Sequence, residues 1–200
     1  MIEVLEPAPT HDLTVAETVK RELGVTGTEH DAVLSDLIRQ ASRTAATSCN
    51  RVFAKETVRE TLRPEVPFRR LVLDRHPVVC ILSIVEDNGT LSAADYELDV
   101  ASGLVTRLVD DLPTDWRADK IVITYVAGYD LLTNLPEDVE KAVIALVRGW
   151  WFGRARDPLV KAQEIPGVMR QDYWVGAVGD GGLPPEFETL LAPYRNVAVA

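Results

Sequence analysis

The spacing of apolar residues changes twice along this chain, and this change most constrains the fold that the chain can adopt. Before about residue 51 the apolar residues recur every three or four positions, which is typical of helices with one buried face. From Val52 to Val126 they alternate with polar residues or form short β-branched runs, which indicates strands. After Leu135 the helical spacing returns. Because the strands are short and follow tight-turn signals, they favour an antiparallel sheet over β-α-β units.

Two helices are predicted before the strands. The residues Thr14-Val15-Ala16-Glu17 have the pattern of a capping box, so we expect Thr14 to cap a short helix that ends near Leu23, before Gly24. A second start signal lies at 28–31, and we expect the following helix to end at Asn50 in a left-handed conformation. The residues predicted to share the buried face of this second helix are Val33, Leu34, Leu37, Ile38, Ala41 and Ala45.

The strand-rich stretch contains a strong turn signal at Asn88-Gly89, a pair that favours two-residue hairpin loops. The predicted strands lie at about 55–62, 71–73, 78–85, 96–98, 104–106 and 121–126. The sequence therefore predicts an α+β fold, in which a small helical bundle carries an inserted antiparallel β-sheet region and an extended C-terminal tail.

A third helix is expected from Asn134 or from the Leu135-Pro136 step, because proline suits the first turn of a helix. One apolar stripe runs along it, formed by Val139, Ala142, Val143, Leu146, Val147 and Trp150, and Ile144 and Trp151 widen that stripe. So wide an apolar arc fits either a central helix within one domain or a helix buried against a neighbouring subunit. Adjacent tryptophans cannot face the same side of a helix, so one of the pair is expected to meet the sheet, the tail or another subunit.

The chain ends in an amphipathic segment that begins at Leu183-Pro184-Pro185 and finishes in Pro193-Tyr194-Arg195. A glycine-rich stretch, 176–182, precedes it. Chain termini fray unless something holds them, so this tail is predicted to dock on a partner. The predicted organisation is a single domain over 1–200, with N-terminal helices at 1–51, a β-rich insertion at 52–128, a central apolar helix at 134–153 and an extended docking tail at 154–200.

The 200-residue chain is long enough for one domain with a sizeable core. It carries 21 Lys and Arg against 31 Asp and Glu, so its net charge is −10. An acidic surface argues against tight wrapping of nucleic acid, which requires the phosphates to be neutralised. Cys49 and Cys80 do not have metal-ligand spacing and are expected to be reduced thiols, which fits a cytosolic origin. We expect neither a secretion signal nor a membrane span.

No catalytic pattern stands out, since the sequence contains no P-loop, no GxGxxG, no GxSxG and no HExxH. The three histidines, His11, His30 and His76, are isolated from one another. An acidic group at Asp110, Asp111, Asp115 and Asp119 reads as a solvated loop rather than a cation site, because its spacing does not match an EF-hand. The basic group Arg63, Arg69, Arg70 and Arg75 favours a solvated or partner-facing loop over phosphate contact. We therefore predict no catalytic residue, no cofactor and no metal.

The order of these features resembles the head–tail connector (adaptor) family of long-tailed bacteriophages, whose members are also called head-completion proteins. The resemblance rests on the Tyr125-Val126-Ala127-Gly128-Tyr129 step into the Pro-started helix and its Trp-Trp-Phe end. It also rests on Ile165-Pro166-Gly167 and on the terminal Leu190-to-Arg195 segment. It spans nearly the whole chain.

The resemblance implies a structural role in the virion. Such proteins form a ring, usually a dodecamer, beneath the portal; the ring extends the DNA channel and is the platform for the next neck protein, the stopper. The expected partners are thus the portal protein, a stopper or other neck protein and further copies of the chain, with genomic DNA passing through without specific binding and no membrane. The expected location is the virion neck, after synthesis in the bacterial cytoplasm. The residues expected to bind the portal are Pro185, Phe187, Leu190, Leu191, Pro193, Tyr194 and Arg195, and those expected at the subunit interface are Ile144, Trp150 and Trp151.

Two other readings of the sequence stay open. A non-catalytic β-rich binding module would be a stable monomer with a ligand groove on its strands. An enzyme with an unrecognised site would need converging titratable groups, and the sequence shows none at a suggestive spacing.

Overall fold

The computed structural model describes most of the chain. The described residues are 1–154, 162–165, 169–172 and 184–196. The chain divides into two compact units, a β unit formed by Met1–Thr10 and Val52–Asn134 and a helical unit formed by His11–Arg51 and Leu135–Ala200. The predicted α+β class is confirmed. That the two units act together as one adaptor domain stays a prediction.

The β unit contains nine strands among its residues, in two antiparallel sheets. Their bounds are β1 Ile2–Glu6, β2 Glu56–Leu62, β3 Arg70–Val72, β4 Val78–Glu86, β5 Gly89–Thr90, β6 Tyr96–Asp99, β7 Leu104–Val109, β8 Leu112–Thr114 and β9 Ile121–Ala127. The five-stranded sheet has the order β1-β2-β9-β4-β5, and the four-stranded sheet has the order β3-β7-β6 with β8 paired to β7. A single 3₁₀ turn, Ala93–Asp95, precedes β6.

The two sheets share one apolar core. Strand β9 shows why, since Ile121, Ile123, Tyr125 and Ala127 are buried while the residues between them are half-buried. This period of two places one face of the strand inwards. Val58 of β2 and Leu71 and Val105 of the four-stranded sheet join the same cluster. Burial of this much apolar surface is the main force that holds the two sheets together.

A buried polar network lies beside that core. Tyr125 donates from its hydroxyl to Glu60 Oε2 at 2.9 Å, and the backbone N–H of Asp74 donates to the same oxygen at 3.1 Å. The Arg75 backbone N–H donates to the Tyr125 hydroxyl at 3.2 Å, and its guanidinium donates to Glu56 Oε2 at 3.3 Å. Burial raises the pKa of the Glu60 carboxyl, and burial together with the nearby Glu60 charge raises the pKa of Tyr125. The network fixes the β3–β4 connection onto the five-stranded sheet.

The helical unit contains four α-helices in its described residues: α1 Ala16–Leu23, α2 Asp31–Cys49, α3 Glu137–Gly153 and α4 Pro185–Leu191. A 3₁₀ turn, Ala192–Tyr194, follows α4, and the strands β10 (Ala162–Ile165) and β11 (Met169–Asp172) pair antiparallel. Helices α1 and α2 end as the sequence predicts, at Gly24 and Asn50 in left-handed conformations with φ of 66° and 47°. In the described residues, no helix is long and apolar enough to cross a membrane.

One predicted helix cap is wrong because a tertiary contact replaces it, and one predicted tight turn lies a residue earlier than its signal. Thr14 does not cap α1; it is buried, and its hydroxyl donates to Glu140 Oε1 of α3 at 2.9 Å, so α1 starts at Ala16 without a side-chain cap. The β4–β5 turn is formed by Asp87 and Asn88, with φ of 48° at Asp87, and Gly89 already pairs with Glu86.

Two further differences concern burial and pairing. Val33 is exposed, and Ser42 and Cys49 join the buried face of α2 in its place. The sequence also did not indicate β1, which forms an edge of the five-stranded sheet by pairing with β2.

Candidate assembly surfaces

The C-terminal helix α4 packs onto the helical unit of its own chain. Pro184 is extended and Pro185 occupies the first turn, where its missing N–H needs no partner. Phe187 and Leu191, one turn apart, are 1% and 0% exposed, and α4 contacts α2 and α3. The spacing of four residues places both side chains on one helical face. These two residues therefore attach α4 to the bundle.

The residues after α4 complete the end of α2. The backbone N–H of Asn196 donates to the carbonyl of Cys49 at 2.8 Å, at a helix end where carbonyls lack intrahelical partners. The thiol of Cys49 lies 3.8 Å from the Leu191 carbonyl oxygen, and burial raises the pKa of that thiol. The last described residues are thus held by both apolar and backbone contacts.

This packing divides the seven predicted portal-binding residues into two groups. Phe187 and Leu191 are enclosed by their own unit, so they offer almost no surface to a partner in this arrangement. The other five define what we call the tail surface: Pro185, Pro193 and Arg195 are exposed, and Leu190 and Tyr194 are half-buried. The guanidinium of Arg195 lies 3.9 Å from the Glu188 carboxylate. The glycine-rich stretch 176–182 lies outside the described residues.

The end of α3 separates the two tryptophans as their adjacency requires. Trp151 is 8% exposed; its ring meets the His30 ring edge-on at 5.2 Å, and the Arg154 guanidinium lies 3.3 Å from its centroid. Trp151, which was expected at the subunit interface, therefore keeps little surface for another subunit in this arrangement. Trp150 and Ile144 are half-buried and keep part of their surface open.

Sequence reasoning overlooked Phe152, which is 63% exposed. A signal for it was present: Phe152 lies four residues after Arg148, on the exposed side of α3. With Ile144 and Trp150 it makes up what we call the α3 surface, the large apolar side chains of this helix that are exposed or half-buried in the described structure. Trp150 and Phe152 are two positions apart, so they lie on opposite sides of the helix.

The remaining predicted groups do not converge on a reaction centre. Asp110 and Asp111 form the exposed β7–β8 turn, with φ of 50° and 63°. Arg63, Arg69 and Arg70 are exposed, whereas Arg75 is engaged by Glu56. Within the described part of the chain, no group of three or more His, Cys, Asp or Glu side chains is placed to hold a metal ion.

The fold resembles solved structures across its whole length. One is a chain from the neck of an empty GTA particle computed with C6 symmetry, with a TM-score of 0.63 and 20% identity over 100% of this chain and 97% of that chain. A chain from the neck of a native GTA particle with C12 symmetry gives a TM-score of 0.60 at 20% identity, with the same coverage of both chains. A chain from the virion of a native gene transfer agent (GTA) gives 0.61 at 21% identity, again over 100% and 97%.

No curated protein matches this sequence. The model of the head completion protein family, in contrast, matches residues 12–197, which include the helical bundle, the strand-rich insertion and the C-terminal segment. This match covers nearly the whole chain and agrees with the resemblance carried by the Tyr125–Tyr129 step and the terminal segment. The chain therefore belongs to the head completion protein family.

Proposed function

We propose that this protein is a non-catalytic head-to-tail adaptor in the neck of a tailed phage or phage-like particle, made in the host cytoplasm. It forms a ring beneath the portal, extends the DNA channel and is the platform for the next neck protein. The observation that carries this proposal is the family match over residues 12–197. The likeness of the whole fold to chains from GTA necks supports it.

The α3 surface is the proposed contact between neighbouring subunits in the helical unit. Ile144 and Trp150 are half-buried and Phe152 is exposed, so they offer aromatic and aliphatic area on two sides of α3 that the two neighbouring copies in a ring can cover. Aromatic side chains of this kind often dominate the binding energy of an interface. Trp151 contributes indirectly, because it holds the end of α3 in place against His30.

The tail surface is the proposed contact with the portal. Because Phe187 and Leu191 attach α4 to the bundle, the outward residues Leu190, Pro193, Tyr194 and Arg195 can be presented without unfolding the segment. A ring presents many copies of this surface at once, so weak single contacts combine into a strong attachment. A pre-ordered segment also loses less conformational entropy on binding than a disordered one.

The acidic character of the chain suits a conduit for DNA. A net charge of −10 repels phosphates over short distances and keeps a passing duplex from adhering to the wall. Such repulsion favours passage of DNA without specific binding.

A matched pair of variants tests the portal contact. The triple variant Leu190→Ala, Tyr194→Ala, Arg195→Ala changes the tail surface but leaves Phe187 and Leu191 in place. We expect it to keep its unfolding midpoint within a few degrees and to lose co-sedimentation with portal-bearing capsids. The control, Glu22→Ala in exposed α1, should co-sediment like the wild type.

Retained co-sedimentation of the triple variant would remove the tail surface from the proposal. A chain that stays monomeric and binds no capsid in any form would instead favour the alternative, a β-rich binding module. Light scattering on a sizing column separates these outcomes, because it measures the native mass of the same preparations.

A further inference from the structure

The two outward faces of the β unit differ in charge. On the five-stranded sheet, Glu56, Val58 and Glu60 of β2 are buried, whereas Arg59 between them and Lys55 and Arg63 beside the ends of the strand are exposed. We call these three exposed residues the basic stripe. The Arg59 guanidinium lies 3.5 Å from the Glu3 carboxylate of β1, and the described residues give Lys55 and Arg63 no acidic partner. Glu6, the other acid of β1, accepts from the Thr57 hydroxyl at 2.8 Å.

The outward face of the four-stranded sheet is acidic along β6. Tyr96 and Leu98 pack against the shared core, so the alternate residues Glu97 and Asp99 point away from it and are exposed. One base, Arg70 of β3, lies on this face too, on the far side of β7. The turn formed by Asp110 and Asp111 adds two exposed carboxylates at the end of the sheet.

Both faces also carry apolar residues that are exposed or half-buried in the described part of the chain. On the five-stranded sheet, Val79 and Leu82 are 53% and 57% exposed, each at a register shift between β4 and β9. Val122 and Val126 of β9 are half-buried beside them. On the four-stranded sheet, Val72 is 61% exposed and stands opposite the half-buried Leu104.

A head-to-tail contact requires two different patches that complement each other on opposite faces of one unit. The basic and the acidic face of the β unit meet this requirement. A face that pairs with a different face of the next copy produces a closed ring when the rotation closes. An apolar centre with opposite charges at its margin gives such a contact both area and orientation. A two-fold contact between identical faces would instead place the basic stripe against itself.

We propose that a second copy of this chain packs the outward face of its four-stranded sheet onto the outward face of the five-stranded sheet. Glu97 and Asp99 of one copy then face Lys55, Arg59 and Arg63 of the next, and Val72 and Leu104 meet Val122 and Val126. This inference rests on the proposed ring and names the surfaces through which neighbouring β units meet.

The exposed Cys80 makes the contact directly testable. Cys80 pairs in register with Val126 on the outward face of the five-stranded sheet, whereas Cys49 is buried. Thr106, which stands between Arg70 and Glu97, lies on the outward face of the other sheet. Thr106→Cys therefore places one thiol on each face. The experiment oxidises the full-length chain across a concentration series, both free and bound to portal-bearing capsids, and separates the products on a non-reducing gel.

The wild type has one accessible thiol and can form dimers at most. We expect Thr106→Cys to give a ladder of trimers and larger species, because each copy links to a neighbour on either side. The control, Thr26→Cys in the exposed α1–α2 loop, adds a second thiol in the helical unit, on neither of the two sheets, and should give no such ladder. Adding Glu97→Lys to Thr106→Cys should reduce the ladder several-fold, and adding Arg63→Glu to that variant should restore it.

No species above the dimer with Thr106→Cys, free or on capsids, would overturn the proposed contact. An equal ladder with Thr26→Cys would do the same, because it would show random collision. Capsid attachment is measured separately, so a chain that attaches without a ladder refutes this contact and leaves the adaptor function intact. A chain that gives the ladder but does not attach to capsids would support this contact and refute the adaptor function.

Discussion

The backbone N–H of Asn196 donates to the carbonyl oxygen of Cys49 at 2.8 Å, so the C-terminal segment supplies a hydrogen bond that the end of α2 needs. This contact joins residues far apart in sequence and holds the chain next to Arg195, a member of the tail surface. The segment that is proposed to bind the portal is therefore ordered by the protein's own bundle.

The apolar anchor of this segment can be removed with a single substitution. Leu191→Ala should lower the free energy of unfolding by about 2–5 kcal/mol, because it deletes a fully buried side chain. Thr189→Ala, on the exposed side of α4, should change it by less than about 0.5 kcal/mol. Urea denaturation of both variants measures the difference. Similar stability of the two variants would contradict the packing of α4 on the bundle.

Gly128 stands where no other residue fits. Its φ is 104°, and a Cβ there would lie 2.3 Å from the carbonyl oxygen of Ala54. Gly24→Ala measures the cost of the left-handed conformation alone, because Gly24 has φ of 66° and open space around it. We expect this substitution to lower the free energy of unfolding by about 1–2 kcal/mol. Gly128→Ala should lower the free energy of unfolding by clearly more than Gly24→Ala does, as measured by thermal or chemical unfolding. If the two variants lose the same stability, the close approach to Ala54 is not a constraint.

The buried Glu60 should make stability fall as pH rises. Burial raises the pKa of its carboxyl above the ordinary value of 4.5, so the folded chain holds this proton to a higher pH than the unfolded chain. The contribution of Glu60 is fully present below the unfolded pKa and is lost as pH rises through the folded one. The pKa values of Asp95 and Asp99 are lowered, first by the hydroxyls of Ser92 and Ser102. The stability that these two carboxylates contribute therefore changes in the opposite sense and is lost as pH falls.

Comparison with Glu60→Gln isolates this effect. The difference in unfolding free energy between wild type and variant should shift in favour of the variant as the pH is raised from about 4 to 8. The measurement is a set of urea denaturation curves at each pH. A difference that is constant across the range would show that Glu60 does not titrate differently in the folded chain.

Substitutions of Trp150 and Trp151 should affect assembly and stability differently. Trp151→Ala removes the ring between His30 and Arg154 and should destabilise the chain by about 3–5 kcal/mol. Trp150→Ala should cost less stability and should lower the native mass of the assembled protein. Thermal unfolding and light scattering on the same samples measure the two effects. Unchanged native mass for Trp150→Ala would remove it from the α3 surface.

Local signals were enough to predict most of the elements. Gly24 and Asn50 end their helices because a left-handed residue can satisfy the last carbonyls, which depends on the immediate sequence alone. Strand β9 was predictable because it is a run of β-branched and aromatic residues that ends at Gly128. The order of these elements also carried the family resemblance.

Several of the differences from the sequence predictions depend on distant partners. Thr14 has the right neighbours for a cap, but Glu140 on another helix takes its hydroxyl. Trp151 rather than Trp150 lies in the core, where its ring meets His30, which is far from it in sequence. The split of the C-terminal residues into an anchor and a tail surface likewise appears only once α4 has packed on α2 and α3.

The most direct test of the adaptor function is to add the purified chain to portal-bearing capsids that lack it and to image the portal vertex by averaged electron microscopy. The account predicts a closed ring of added density beneath the portal, continuous with its channel. A bare portal, with the chain remaining unbound in solution, would contradict it.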